Sequence, residues 1–384
     1  MKGMFNIRKI LIFYGAYGGG HLSASKSIKE YIDNHYEDTE TSIVDCIEYI
    51  SHGFNKITTA AYRGMTKNAP WTWKKVYYKS KKGTVSRISH TSNIMMALKL
   101  KKFIRKENPD LIICTHPFAS QMCAYLKKKR KIKATLATVM TDYVSHPQWL
   151  TDSEYMDYYF VAHEGMKNQL VAMGISAFKV FATGIPLSNR FLQSYNKPET
   201  LSYFGLLPNK KTVLFFAGGE FGLSSSRTYK MLESMAENFD NIQIIAISGK
   251  NKKMHKNFEE IVKEHNKEDS IKVLSFTDKV PELMSISDMV ITKPGGLTTT
   301  ESLASGLPII VINPIPGQEE ENAQMLENFG CGVWLKKTDN VNNVLSSVLL
   351  NNSKLERMKE NSVKLARPNS TENICKIIFS GKED

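Results

Sequence analysis

Residues 293–301 read Lys-Pro-Gly-Gly-Leu-Thr-Thr-Thr-Glu and follow an apolar run, Met289 to Ile291. Glycines at a strand-to-helix turn let a phosphate approach the backbone, and the free N–H groups and positive partial charge of the next helix N-terminus favour the anion. Lys293, Gly295, Gly296 and Thr298 are therefore candidate pyrophosphate contacts. Glu301, one to two turns into that helix, can reach a ribose hydroxyl, although its spacing differs from that of dinucleotide-binding folds. A second turn, Ala217-Gly218-Gly219-Glu220, follows another apolar run and suits the same anion. Both glycine turns have a plainer reading, in which they only permit close packing. Residues 314–323 open a further helix with crowded polar side chains, where Gln318, Glu319 and Asn322 can converge on a polyhydroxylated ligand. Acids placed there to complement the helix dipole are the competing explanation.

In the first half of the chain, Gly18-Gly19-Gly20-His21 puts a histidine at a helix start just beyond the first apolar run. In open α/β folds that edge faces the ligand. A neutral imidazole there can accept a proton from an attacking hydroxyl, or it can serve as a cap. Residues 141–149, Thr-Asp-Tyr-Val-Ser-His-Pro-Gln-Trp, add Asp142, His146 and Trp149 at a corresponding edge, where they could orient the base or the acceptor. The sequence has no Asp-x-Asp pair to hold a divalent ion against a nucleotide diphosphate and no His/Cys cluster with zinc spacing, so no metal cofactor is expected. A leaving diphosphate would then rely on Lys293, backbone amides and helix dipoles.

Positioning these residues requires strands that alternate with helices. Apolar runs recur at Ile10–Tyr14, Leu111–Cys114, Thr135–Met140, Tyr158–Ala162 and Val180–Thr183, then at Val213–Ala217, Ile242–Ile247, Ile271–Phe276, Met289–Ile291 and Pro308–Ile312. Most are separated by helix-length stretches, which implies α/β architecture with parallel sheets covered on both faces. Between Ile185 and Lys211 the pattern loosens around Pro186, Pro198 and Pro208, as a linker would. Two doubly wound, Rossmann-like domains are expected, in line with a length of 384 residues. Leu345–Ala366 and Ser370–Ser380 read as helices.

An apolar fraction of 42% and a charged fraction of 23% fit an ordinary globular protein. Five scattered cysteines fit a reducing compartment better than a disulfide framework. No run approaches the roughly 18 apolar residues of a spanning helix, so membrane contact is expected to be peripheral. The net charge of +13 is uneven: residues 1–200 hold 29 Lys+Arg against 15 Asp+Glu, and the remainder 22 against 23. Residues 49–106 contain fourteen lysines and arginines and no acid, interleaved with Trp71, Trp73, Tyr77 and Tyr78. Such a mixture suits an anionic headgroup layer. It also suits single-stranded nucleic acid, or a merely solvated basic face.

Taken in order, Tyr17–Ala24 (YGGGHLSA), Thr115-His116-Pro117, Met140–Trp149, Thr183-Gly184-Ile185-Pro186, Ser248-Gly249-Lys250-Asn251, Phe276-Thr277, Lys293–Gly296 and Pro316-Gly317-Gln318-Glu319 resemble one family along nearly the whole chain. It is that of the processive diacylglycerol glucosyltransferases and plant monogalactosyldiacylglycerol synthases, in glycosyltransferase family 28 with the peptidoglycan lipid glycosyltransferase. The resemblance implies a GT-B fold. Residues 1–190 would form an acceptor- and membrane-binding domain, 191–366 a UDP-sugar domain facing it across a cleft, and 367–384 a helix returning to the first. It further implies inverting transfer from UDP-glucose or UDP-galactose to the 3-hydroxyl of diacylglycerol, with His21 as base, assisted by Asp142 or His146.

In the donor site, the resemblance assigns Phe276 and Thr277 to the uracil and Glu301 to the ribose, and places Lys250 and Asn251 among the donor-binding residues. Gly218, Gly219, Gly295 and Gly296 fall to the diphosphate, and Gln318, Glu319 and Asn322 to the sugar. Gly19, Gly20, Trp71, Trp73, Lys74, Lys75, Tyr77, Tyr78, Lys81, Lys82 and Trp149 fall in the acceptor and membrane region. Partners would be diacylglycerol and anionic lipids at the cytoplasmic face of the cell membrane, with no nucleic acid, and a glycolipid product can serve as the next acceptor. Lys250 stands where many relatives carry arginine, and Ser275 where glycine is common. Transfer to a polyprenyl-diphosphate-linked sugar, UDP-sugar epimerisation on the same fold, and nucleic-acid binding by the basic stretch remain the alternative readings.

Overall fold

The structure, a computed structural model, describes residues 7–15, 19–50, 52, 60, 64–66, 69–81, 84–217 and 226–380, with the backbone alone at 80, 81 and 84–94. Gly218, Gly219 and Lys82 lie outside the described residues, as does the side chain of Lys81. The chain divides into two compact units, 1–189 with 316–318 and 367–384, and 190–315 with 319–366.

The first unit holds strands β1 (Lys9–Tyr14), β2 (Glu40–Asp45), β3 (Leu111–Cys114), β4 (Thr135–Val139), β5 (Tyr158–Phe160) and β6 (Val180–Phe181). They form one parallel sheet in the order β2-β1-β3-β4-β5-β6. Its helices are α1 (Gly19–His35), α2 (Cys46–Ile50), α3 (Pro70–Lys81), α4 (Thr84–Glu107), α5 (Pro117–Lys128) and α6 (Glu164–Ala172). The central strands are continuous apolar runs because helices cover both sheet faces: Ile10 to Phe13 and Leu111 to Cys114 are all buried. Chain order reverses between β1 and β3, so their carboxyl ends frame the crevice where open α/β sheets bind ligands.

The second unit repeats the plan with α7 (Lys197–Tyr203), β7 (Lys211–Phe216), α8 (Ser226–Asn238), β8 (Ile242–Ile247), α9 (Lys252–Glu264), β9 (Ile271–Leu274), α10 (Val280–Ile286) and β10 (Met289–Thr292). It continues with α11 (Gly296–Ala304), β11 (Ile309–Val311), α12 (Gln318–Asn328), β12 (Gly332–Trp334), α13 (Val341–Leu349) and α14 (Asn352–Leu365). The sheet order is β12-β11-β10-β7-β8-β9, all parallel. Here the reversal falls between β7 and β10, and β10 runs into the Gly295-Gly296 turn.

The last helix, α15 (Ser370–Ser380), belongs to the first unit. It buries Ile374, Cys375, Ile378 and Phe379 in that unit's core and stacks Phe379 on Tyr36. Ser370 Oγ donates to the Ile185 carbonyl at 2.6 Å and Thr371 Oγ1 to the Leu187 carbonyl at 2.9 Å. Gly184, with φ +96°, passes so close to Arg367 that a Cβ would sit 2.5 Å from the arginine's own. Two features differ from expectation. The chain forms β2 and β12, whose residues are too polar or too few to stand out. The expected helix Leu345–Ala366 is instead two, because Leu350 ends α13 and the Asn351 side chain caps α14 by accepting from Lys354 N at 3.0 Å.

Candidate active site

His21 lies in the first turn of α1, beyond the carboxyl end of β1. The neighbouring strands β3 and β4 end just before Thr115 and Met140-Thr141, so three adjacent strand ends converge on the imidazole. Its Nδ1 is 2.6 Å from the Thr115 carbonyl oxygen and 3.0 Å from Thr141 Oγ1. A carbonyl oxygen only accepts, so Nδ1 carries the proton and donates it. Nε2 is then the unprotonated nitrogen, with a lone pair to offer. Burial lowers the pKa of His21 to about 4, against a smaller opposing effect of the Thr115 hydrogen bond, so the ring is neutral at physiological pH.

The other two histidines nearby are engaged differently. His116 packs edge-on against His21 with ring centroids 4.7 Å apart, and its Nδ1 accepts from Phe118 N at 3.2 Å to cap α5. Burial, and then the neighbouring His21, hold His116 well below the usual histidine range. His146 Nδ1 accepts from Gln148 N at 3.2 Å and caps the 3-10 turn Pro147–Leu150. With Nδ1 accepting from Gln148 N, the tautomer of His146 that fits carries its proton on Nε2. Asp142 is half-buried, with Gln318 Nε2 at 3.3 and 3.4 Å from its carboxylate oxygens.

In the second unit, Gly295 is the N-cap residue of α11, and the turn before it is braced from α12. Lys293 Nζ pairs with Glu319 Oε1 at 3.2 Å, Glu319 Oε2 accepts from Ile315 N at 2.7 Å, and Asn322 Nδ2 donates to the Pro294 carbonyl at 2.9 Å. Glu319 and Asn322 are both buried, so these contacts fix the shape of the turn. Gly296 is buried and Thr298 half-buried at the start of the helix. Glu301 is half-buried on its second turn, and burial pushes its carboxyl up to about 8.

Across the same sheet edge, Asn251 caps α9 by accepting from Met254 N at 3.1 Å, and Lys250 Nζ lies 5.2 Å from the centre of the exposed Phe276 ring. Thr277 Oγ1 accepts from Lys279 N at 3.1 Å. A hollow of about 960 Å³ beside β9 has Phe276 and Thr277 in its wall, together with Tyr203, Phe204 and Lys272. It runs along the outer edge of β9, from Glu268 and Ile271 at the start of the strand to Thr277 beyond its end.

The basic stretch supplies one face of the first unit. On α3, Trp71 is 63% exposed, with Lys75 Nζ 5.0 Å from the centre of its ring, and Lys74, Tyr78 and Lys79 are exposed beside it. The outward side of α4 continues with exposed Met95, Leu98, Lys99 and Lys102. Of the residues expected in the acceptor and membrane region, Trp149 and Tyr77 are buried: Tyr77 packs against His146 with ring centroids 4.8 Å apart, and Trp149 is enclosed in the turn that His146 caps. Trp73 is half-buried, Gly19 exposed and Gly20 half-buried. Among the described residues, no helix is long and apolar enough to cross a membrane.

Residues 21–187 match the family model for monogalactosyldiacylglycerol synthase, and residues 213–374 match the glycosyltransferase family 28 C-terminal domain. A processive diacylglycerol β-glucosyltransferase of Staphylococcus epidermidis is 32% identical over 374 residues, covering 97% of this chain and 92% of its own. The chain belongs to this family of diacylglycerol glycosyltransferases. A Bacillus subtilis processive diacylglycerol β-glucosyltransferase is 28% identical over 388 residues, covering 98% of this chain and 96% of its own. Among solved structures, MurG of Acinetobacter baumannii superposes with a TM-score of 0.64 at 11% identity, covering 97% of this chain and 99% of its own. The UDP-GlcNAc 2-epimerase of Neisseria meningitidis, bound to UDP-GlcNAc, gives 0.63 at 15% identity, covering 97% of this chain and all of its own. The fold of this family member is GT-B, as the resemblance implied.

Sequence reasoning gave Thr115 and Thr141 no role of their own. Their signal was available: each is a hydroxyl residue placed where a fully buried strand run ends, at the edge that faces ligands.

Proposed function

We propose that the protein transfers glucose from UDP-glucose to the 3-hydroxyl of 1,2-diacylglycerol, inverting the anomeric carbon to give a β-glucosyl lipid that can itself accept the next sugar. The observation that carries this reading is His21, a neutral histidine with its proton held on Nδ1, in a chain matched over 97% of its length by diacylglycerol β-glucosyltransferases. His21 Nε2 takes the proton of the acceptor hydroxyl as that oxygen attacks C1 of glucose. The bond from C1 to the UDP oxygen breaks on the opposite face, and UDP leaves with the bonding pair. The charge that develops on the diphosphate meets Lys293 and the N-terminus of α11, groups already braced in place by Glu319 and Asn322. The uracil sits by Phe276 and Thr277, and the ribose by Glu301.

The protein works as a peripheral enzyme on the cytoplasmic face of the membrane, with α3 and the outward side of α4 against anionic headgroups. Exposed Trp71 and Tyr78 suit the interfacial layer and the flanking lysines its charge. The test is to incubate the protein with radiolabelled UDP-glucose or UDP-galactose and vesicles of diacylglycerol and phosphatidylglycerol, and to resolve the chloroform-soluble products. Labelled glucolipid is expected, with His21→Ala lowering turnover by a factor of about 10² to 10⁴ and leaving UDP affinity within about twofold. Normal turnover in that variant would remove His21 from its role. A product made only on a polyprenyl-linked acceptor would overturn the diacylglycerol assignment.

A further inference from the structure

The hydrogen bonds around His21 extend beyond the ring. Ser25 Oγ donates to the His21 carbonyl at 2.9 Å and lies 3.0 Å from Thr115 Oγ1, which is itself 3.2 Å from the same carbonyl. Ser25 and Thr115 are fully buried and Thr141 nearly so. Thr115 thus holds the residue twice: its backbone carbonyl takes the Nδ1 proton, and its hydroxyl ties the first turn of α1 to the end of β3. Thr141 brings a second oxygen to Nδ1 from the end of β4.

We propose that Thr115 and Thr141, backed by Ser25, are the positioning residues of the base: they fix the His21 ring in its Nδ1-protonated tautomer and aim Nε2 at the acceptor hydroxyl. The proposal rests on the reading of His21 as the general base. In hydrolase triads a carboxylate performs this orienting task. A carbonyl and a hydroxyl carry no net charge, so they select the tautomer without the strong pull toward the charged imidazolium that a carboxylate exerts. When Nε2 takes the acceptor proton, the same two oxygens face the transient positive ring. A hydrogen-bond partner that orients a histidine is thereby worth rate rather than substrate affinity.

Two readouts on the full-length protein separate this idea from the base assignment. In histidine-labelled protein at neutral pH, ¹⁵N NMR, with the His21 signals identified by their loss in His21→Ala, should show Nδ1 protonated and Nε2 bare. Thr141→Val, which leaves the Thr115 carbonyl in place, should keep Nδ1 protonated but shift its resonance as the second oxygen is lost, and Thr141→Ser should restore it. In the transfer assay Thr141→Val should lower kcat about tenfold, with the KM for UDP-glucose within about twofold, and Thr141→Ser should recover most of the rate. Thr115→Val, which keeps the carbonyl but loses the hydroxyl tie, should show the same split, provided its circular dichroism is native. A wild-type ring protonated on Nε2 overturns the positioning scheme. So does a Thr141→Val enzyme with wild-type kcat, or one whose loss the serine variant fails to rescue. If His21→Ala turns over normally while the Nδ1 resonance responds as stated, the general-base reading falls and the hydrogen-bond assignment stands.

Discussion

Raising the pH from 6.5 to 9 carries Glu301 through its titration, because burial places the carboxyl at about 8 instead of the usual 4.5. The sign follows from the direction of the shift. An acid whose pKa is raised stays protonated up to the raised value, so at pH 7 only about one molecule in ten is ionised there. Bound nucleotide would cover Glu301 further and set a diphosphate at the N-terminus of α11, five residues earlier in the helix. At 1.5 Å of rise per residue that is about 7.5 Å, where an ionised Glu301 would repel each phosphate charge by about 2 kcal/mol at an effective dielectric constant near 20. On the proposed donor site, the neutral carboxylic acid would therefore be the form that binds UDP, donating to or accepting from the ribose hydroxyls. If only that form binds, the dissociation constant rises by about elevenfold between pH 6.5 and pH 9, or about 1.4 kcal/mol. The assay is isothermal titration calorimetry of UDP with the wild-type protein and Glu301→Gln at matched pH. Glutamine copies the neutral acid but does not titrate, so the ratio of the two constants cancels the ionisation of UDP itself. The ratio of wild-type to variant constant should sit near one at pH 6.5 and climb about tenfold by pH 9. A ratio that stays flat, or falls with pH because the carboxylate is the better ligand, would refute the reasoning.

For His21 the sign runs the other way: its lowered pKa of about 4 keeps the base neutral down to that value. At saturating UDP-glucose, kcat/KM for the acceptor should thus hold level from pH 7.5 to about 5 and drop only below that; an inflection near 6.5 that disappears in His21→Ala would contradict it. Glu319→Ala strands the mostly enclosed Lys293 and leaves Ile315 N–H without its acceptor, a loss of about 3 to 5 kcal/mol, which calorimetric unfolding should register as a fall of about 6 °C or more. Glu319→Gln keeps the Ile315 acceptor and should lose less; equal midpoints for alanine and wild type would show the brace to be idle. Exchanging Lys74, Lys75 and Lys79 for glutamate should weaken sedimentation with phosphatidylglycerol vesicles by about two orders of magnitude or more, with UDP affinity unchanged. Undiminished vesicle binding would move the membrane face elsewhere.

Most strands were legible because buried parallel strands are written as unbroken apolar runs. Leu111–Cys114 and Ile242–Ile247 have the bounds that the sequence suggests. β2 was not, since ETSIVD is an edge strand with one flank outside the sheet, and neither was β12, a three-residue strand that opens on Gly332. The break between α13 and α14 is encoded by Asn351, whose capping preference is visible only when weighed against the apolar periodicity that runs through it. At the site, composition and order could nominate His21, His116 and His146 alike as histidines near strand ends. What separates them is whether Nδ1 meets a carbonyl or an amide N–H, a distinction made by a tertiary contact 94 residues away for His21 and by local contacts two residues away for the other two. Glu319 and Asn322 show the same limit: their polarity nominates them as site residues, but only the folded turn shows them contacting Lys293, Ile315 N and Pro294.

A histidine with a pKa near 4 is a weak base, and its placement has to be understood through the reaction rather than through the ground state. An alcohol gives up its proton only as its oxygen bonds to C1, so the base need not hold a free proton. It has to be bare, aimed and dry. In the proposed role, the half-buried setting of His21 supplies the first, by keeping the imidazole uncharged, and a bound acceptor that displaces water would supply the last. A carboxylate partner at Nδ1 would strengthen the base but raise its pKa toward the physiological range, where part of the population would be protonated before the acceptor arrives. The Thr115 carbonyl avoids that loss while still fixing the tautomer. The arrangement follows from the order of strands in the sheet: with β1, β3 and β4 adjacent, the carboxyl ends that carry His21, Thr115 and Thr141 are brought side by side. A chain that kept these three residues but exchanged the positions of β3 and β5 would separate the proposed base from the Thr115 carbonyl.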